Sequence, residues 1–261
     1  GTSIATGGGN VVMTATGEAD IRLGLVNAGA GHVSLAAQRS ILDSGEAALN
    51  VQAATLRMVA DANSNAAGQI GQADGASAAG TNTNSIATQV TTLAATAADG
   101  IYVLESDGLT VDALATFDVS QVNFNSTTAT VTAAAREDLT TTDAGPIKLV
   151  STTGSITVNA GTAASAGVNA ASTGNVLLET RAADGDLIVN ALVTSGSGHI
   201  SLVATDDVDL NANVTTTGGS VYLSAANGTT AGGGELQGID MAVGTSIATG
   251  GGNVVMTATG E

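Results

Sequence analysis

The side chains able to do chemistry in this sequence are few and mostly acidic. Asp184 and Asp186 lie two apart in RAADGDL, and Asp206, Asp207 and Asp209 crowd the segment TDDVDLNA. Carboxylates alternating along an extended strand project side by side, and hard oxygen ligands of that kind suit Ca2+. The same acids can equally form a solvated face that keeps neighbouring molecules apart. In DDVDLNA the alternation turns Val208 and Leu210 inward and Asp207 and Asp209 outward. His32 and His199 each follow a glycine, in GHVSLAA and GHISLVA, and hold one register position in two different repeats. Two imidazoles with no third ligand nearby do not make a zinc site, so both are expected to be outward polar positions. Ca2+ is the one cofactor the acids suggest; no catalytic, cofactor-binding or metal residue is assigned.

The cations are Arg22, Arg39, Arg57, Arg136, Lys148 and Arg181, against 23 acids, giving a formal net charge of −17. Such a balance disfavours phosphate backbones, so nucleic acid is not an expected partner. A polysaccharide lyase needs a tuned base and clustered cations, and a glycosidase needs paired carboxylates with aromatic sugar platforms. Six scattered cations, two Phe, two Tyr and no Trp match neither, so the chain is read as no enzyme. No apolar run approaches the ~20 residues of a membrane helix, and the aromatic girdles of a membrane barrel are missing. Asn125, Asn213 and Asn227 each begin an N-x-S/T triplet, which arises easily in a Thr-rich chain. Gly1 stands at the start with neither Met nor a signal peptide, and is expected to mark processing or a fragment boundary.

The elements that would position these groups follow from two repeats. Residues 1–18 and 244–261 both read GTSIATGGGNVVMTATGE, an offset of 243 residues. The expectation is a parent protein repeating a 243-residue unit, with this chain holding one unit plus the opening of the next, 244–261. Inside it runs a shorter formula of glycine, a polar residue, then apolar-x-apolar-x-small. It appears as GNVVMTA (9–15), GHVSLAA (31–37), GPIKLVS (145–151), GSITVNA (154–160), GNVLLET (174–180), GDLIVNA (185–191), GHISLVA (198–204) and GSVYLSA (219–225). Its relatives are ADIRLGL (19–25), ALNVQAA (48–54), TATVTAA (128–134) and DDVDLNA (206–212). Alternation of two is the signature of a strand with one buried face. Recurrence of the glycine about every 20–22 residues, as from Gly198 to Gly219, fits three short strands per coil. The fold expected is therefore all-β, a right-handed parallel β-helix (β-solenoid) of about 20–22 residues per coil and roughly 10–11 coils. Glycines would mark its corners, and Asn50, Asn190 and Asn211 could stack as a ladder or point into solvent.

The alternation lapses over 61–90, which is rich in Ala, Gly, Asn and Ser, so 61–85 is expected to leave the stack as a loop; smaller excursions are expected at 161–173 and 226–238. No Pro-rich or charged linker divides the chain, and 1–261 is read as a single continuous solenoid segment. The coils GNVVMTA, GHISLVA, DDVDLNA and GGSVYLSA resemble those of the filamentous-haemagglutinin class of giant bacterial surface proteins, over most of 1–60 and 99–261. That resemblance implies export to the bacterial cell surface or beyond, an elongated shaft, and a role in adhesion or an extracellular matrix such as a biofilm. The expected function is a structural segment of an extracellular fibre or adhesin shaft, with copies of itself, end to end or laterally, as first partners. The alternative is a binding module for a receptor, a glycan or Ca2+ carried on 61–85 or on the acidic faces. A polysaccharide lyase or hydrolase stands third.

Overall fold

In the strands that follow the formula, the apolar residues at alternate positions all face one way, and a narrow core of Val, Ile, Leu and Ala can close only if the chain winds around it. The computed structural model does this. It describes residues 2–45, 49–73, 84–161, 166–226 and 238–259. Among the described residues there is no helix. One continuous sheet of 25 strands wraps around an axis as a parallel β-solenoid, and a separate two-stranded sheet stands off it.

Three walls are clear in the second half. The first stacks Gly100–Glu105, Ile147–Ser151, Val176–Thr180, Ile200–Ala204, Val221–Ala225 and Val254–Ala258, all parallel and in register. The second stacks Leu109–Val111, Ile156–Val158, Leu187–Val189, Val208–Leu210 and Ile239–Met241. The third stacks Leu139–Thr141, Ala166–Ala170, Leu192–Ser195, Val214–Thr216 and Ile247–Ala248. In the first half a single strand, Ile86–Ala97, serves all three walls. Its Thr88 pairs with Glu105, its Leu93 with Val111, and its Ala95 with Leu139. Val51–Val59, His32–Ala37 and Val11–Ala15 lie beneath it in turn.

Ile21, Ile41, Ile70, Ile101, Ile147, Val176, Ile200, Val221 and Val254 stack as nine successive levels of the first wall, and Val11–Ala15 lies one level before them. All but Val254 are buried. Burial of each such side chain is worth about 1.5–3 kcal/mol against exposure. The corner glycines are required by close approach: a Cβ on Gly219 would sit 1.9 Å from the Gly198 carbonyl oxygen, and one on Gly198 2.1 Å from that of Gly174. Where strands end, inward hydroxyls satisfy turn carbonyls, as Thr180 Oγ1 does for Gly185 (2.7 Å) and Thr216 Oγ1 for Gly198 (2.9 Å).

The expected coil length holds where nothing is inserted: Val11 pairs with Val33 and Ile200 with Val221, both within the expected span. It fails elsewhere, since Ile101 pairs with Ile147, more than two coil lengths further along the chain. Three expectations need correction. Residues 61–85 are not one excursion, because Gln69–Ile70 returns to the wall and pairs with Gly100–Ile101; residues 74–83 lie outside the described residues. The stretch 161–173 contains a wall strand, Ala166–Ala170, while 162–165 and, in the third expected excursion, 227–237 lie outside the described residues. TATVTAA (128–134) is no coil strand: Thr128–Ala133 pairs antiparallel with Phe117–Val122 in a hairpin inserted between the second and third walls.

Candidate functional site

This hairpin is the described feature that departs most from the shaft. Its two strands pair only with each other, from Phe117↔Ala133 to Val122↔Thr128. A two-stranded hairpin is marginal alone in water, so its root needs an anchor. Arg57, outward on the wall strand Val51–Val59 and only 2% exposed, supplies one. Its Nη1 donates to the Ala134 carbonyl (2.6 Å) and its Nη2 to the Ala115 carbonyl (2.7 Å), so that it clasps both arms. The guanidinium lies 4.6 Å from the centroid of Phe117, a cation–π contact. Burial, and behind it the Arg136 charge, hold Arg57 below the usual arginine range. Clefts of about 600 and 320 Å3 flank the root, the smaller lined by His32, Thr55, Arg57, Asp112 and Phe117. At the tip Asn123 N–H donates to the Thr127 carbonyl, while Thr127 Oγ1 donates to Asn125 Oδ1 (2.7 Å), leaving Val122 largely and Phe124 wholly exposed. In a chain with two Phe, one is spent in full contact with water.

The expected acidic pairs are regrouped. Asp186, Asp206 and Asp207 bring carboxylate oxygens within 4.8 Å of one another, while Asp184 and Asp209 are not part of that group. Their hydrogen bonds hold the coil together: Asp186 Oδ1 accepts from the Asp207 amide (3.4 Å) and Asp207 Oδ1 from the Gly238 amide (2.5 Å). Each carboxylate thus caps the next level's first amide, where the wall hydrogen bonds have not yet begun. The histidines play a related part. His199 Nδ1 accepts from the Ser220 amide (2.9 Å), while the His199 amide donates to Asn175 Oδ1. The His32 amide donates to Asn10 Oδ1, its Nδ1 meets Thr55 Oγ1 (2.9 Å), and its ring lies 5.6 Å from that of Phe117.

An asparagine ladder exists, with different membership from that expected. Asn211 Nδ2 donates to Asn190 Oδ1 (2.9 Å), Asn190 Nδ2 to Asn159 Oδ1 (3.0 Å), and Asn159 Nδ2 to Asp112 Oδ2 (3.0 Å). Asn50 is elsewhere and fully buried, donating to the Leu23 carbonyl and Asp43 and accepting from the Ala87 amide.

Glu105 is the buried ionisable group the sequence reading passed over. It ends the first-wall strand Gly100–Glu105 with no exposed surface. Its Oε1 accepts from the amides of Val90 (3.2 Å), Ser106 (3.0 Å) and Asp107 (3.3 Å); its Oε2 lies 2.6 Å from Thr88 Oγ1. Burial first, then Asp107, pushes its carboxyl up to about 8, outweighing the amides that favour the charged form. The alternation contains the signal, because Ile101, Val103 and Glu105 share one parity and so point inward together.

The cations are dispersed. Arg22 and Arg39 reach Asp20 at 3.7 and 3.9 Å on the surface, Arg181 pairs with Glu179 at 2.7 Å, and Lys148 lies in register with Tyr102 on the first wall. Arg57 and Arg136 come together, at the hairpin root. Of the three N-x-S/T triplets, Asn125 is exposed at the hairpin tip, Asn213 accepts from the Ser246 amide within the third wall, and Asn227 lies outside the described residues. No described helix is long and apolar enough to cross a membrane. The chain matches no protein-family model, no curated protein and no solved structure.

Proposed function

We propose that the chain is a structural segment of an extracellular fibre or adhesin shaft on a bacterial surface, built from tandem 243-residue units. The observation that carries this reading is that the duplicated segment stacks as a coil strand in both of its copies. Val254–Ala258 repeats the sequence of Val11–Ala15. In the first copy the next level covers that strand, Val11 pairing with Val33 and Met13 with Leu35. In the second, Val254 pairs with Val221 and Met256 with Leu223 of the level before. A segment that stacks in the wall in both places lets one unit run on into the next without a break in the coils. The net charge of −17 keeps such a rod soluble and discourages unspecific side-by-side clumping.

A second reading, a binding module for a receptor or glycan, is favoured by the hairpin, whose tip exposes Phe124 and Val122. The two readings are compatible when a shaft carries bristles. Electron microscopy of the native material tests the first. From Val11 to Val254 the chain climbs about nine levels, which at ~4.8 Å each is roughly 40 Å per unit. A constant coil length over the whole unit would give a longer repeat, ~50 Å; the insertions take residues out of the stack. A thin rod with the shorter axial repeat is expected; compact monomers would overturn the proposal. Ca2+ binding belongs to the second reading and would centre on Asp186, Asp206 and Asp207.

A further inference from the structure

We infer that successive units are rotated by about half a turn around the fibre axis, so that their hairpins issue alternately from opposite sides of the shaft. This rests on the tandem reading above, and it comes from where the duplicated residues lie. Ser3–Ala5 and Ser246–Ala248 are the same tripeptide. Ile4 pairs with Val26, Val26 with Val51, Val51 with Thr88 and Thr88 with Glu105, which places the first copy on the later half of the first wall. Its twin Ile247 pairs with Val214, on the third wall. The following strand moves in the same sense. Val11 is linked through Val33, Leu56 and Leu93 to Val111 on the second wall, and Met13 through Leu35, Met58 and Ala95 to Leu139 on the third. Its twin Val254–Ala258 pairs with Val221–Ala225, on the first wall.

Both duplicated strands have therefore stepped back by more than one wall: Ile4 from late in the first wall to the third, Val11 from the end of the second to the start of the first, and Met13 from the third to the middle of the first. Val111 continues in register through Val158 and Val189 to Leu210, about midway along the coil from Ile200 to Val221, so from Val11 to Val254 the chain completes nine turns less about half a turn. The glycines mark the same displacement. A Cβ on Gly31 would meet the Gly9 carbonyl oxygen at 2.4 Å, so these two share one corner. The stack Gly145, Gly174, Gly198, Gly219 and Gly252 shares a second corner, each Cβ directed at the carbonyl oxygen or backbone of the level before. Gly252 is the twin of Gly9, yet it stands in the second stack. Nothing in these side chains opposes the change of wall, since the formula requires only one inward apolar face and a glycine at the turn.

The hairpin leaves the stack between the second and third walls, after Leu109–Val111 and before Leu139–Thr141. In the next unit it leaves from the opposite side of the shaft, and in the third from the first side again. The pattern closes after about 17 levels, roughly 80 Å at ~4.8 Å per level. The exposed Phe124 would then face both sides of the rod, so the shaft could meet a surface or a neighbouring fibre on either side.

The test is a chain of three units, 1–243 twice followed by 1–261, imaged by cryo-electron microscopy. Averaged particles viewed down the rod axis should show protrusions on two opposite sides, the first and third hairpins superimposed and the second about half a turn from them, with successive hairpins spaced roughly 40 Å along the rod. A rod of that spacing with all its protrusions superimposed down the axis would overturn the rotation and leave the fibre proposal standing. Three separate globules, or no rod, would overturn both.

Discussion

Replacing Glu105 by glutamine should make the solenoid more stable at alkaline pH and leave it little changed at acidic pH. The carboxyl ordinarily titrates near 4.5 and is pushed up to about 8 in the fold, chiefly by burial. Between those values the folded state holds a proton that the unfolded state has released. Stability therefore falls as pH rises through the interval, from its full value below 4.5 to its minimum above about 8. At about 1.4 kcal/mol per pH unit, the ceiling of that loss is roughly 5 kcal/mol. Glu105→Gln cannot ionise. Its Oε1 can keep the amides of Val90, Ser106 and Asp107, and the Thr88 hydroxyl, which donates to Glu105 Oε2, can turn to accept from the glutamine Nε2. Urea unfolding followed by circular dichroism suits a chain without Trp. At pH 4.5 the two proteins should unfold at similar urea concentrations; at pH 8.5 the variant should lead by several kcal/mol. Parallel midpoints across that range would refute the reasoning. A wild type that gains on the variant as pH rises would mean that the three amides hold Glu105 as a carboxylate after all.

Gly219→Ala should cost about 3 kcal/mol or more and lower the thermal midpoint, because its Cβ would stand 1.9 Å from the Gly198 carbonyl oxygen; an unchanged midpoint would show that the corner can open. Arg57→Ala removes two hydrogen bonds from a charged donor and a cation–π contact, about 3 kcal/mol at the hairpin root. Chymotrypsin should then cut after Phe124 faster in the variant, with the rest of the solenoid resistant; equal cleavage rates would remove Arg57 as the clasp. Tyr222→Cys with Val255→Cys joins two outward neighbours on successive levels in a chain with no other cysteine. Their strand spacing of about 4.8 Å falls within disulfide reach, so mild oxidation should close the bond, detectable as faster migration in a non-reducing gel. Failure to close it would place the last level on another wall.

How far the sequence showed this fold depends on which physical constraint wrote the pattern. One buried face writes alternation, and a carbonyl at 1.9–2.4 Å writes glycine, so strands such as GHISLVA and GSVYLSA were legible together with their stacking. Alternation does not distinguish a parallel wall from an antiparallel ribbon, and TATVTAA was therefore misplaced. The signal against it was available: no glycine opens that segment, and Asn123, Asn125 and Ser126 divide two alternating runs as a turn would. The ladder was half legible. Asn190 and Asn211 follow an inward apolar residue, as does Asn159, whereas Asn50 stands just before the strand that begins at Val51, where the alternation has not begun, and is buried together with it. The wall on which each strand lies was not legible at all. It is set by the cumulative length of every preceding insertion, and no single segment records that total.

Nearest-neighbour stacking explains why a shaft tolerates such insertions. Each level is held mainly by the levels on either side of it, so a segment leaving the stack at a corner costs chiefly the entropy of closing a loop. That cost grows slowly, by about 0.6 kcal/mol for each doubling of loop length. The segment between Val111 and Leu139 therefore disturbs the core little, and Leu139 resumes at full burial on the third wall. Conversely, a hairpin added for function needs its own fastening, and the fastening must come from the wall's outward face. Arg57 occupies that face two levels before the hairpin's own, where neighbours in register are Ser34 and Ala94. The small side chain of Ala94, on the level between, leaves the guanidinium room to reach Ala115 and Ala134. Enlarging it, as in Ala94→Leu, should release the hairpin while leaving the stacked walls intact. Faster chymotryptic cleavage after Phe124, with an unchanged β-sheet spectrum, is the expected result; a hairpin that stays protected would mean that contacts at its root other than Arg57 hold it.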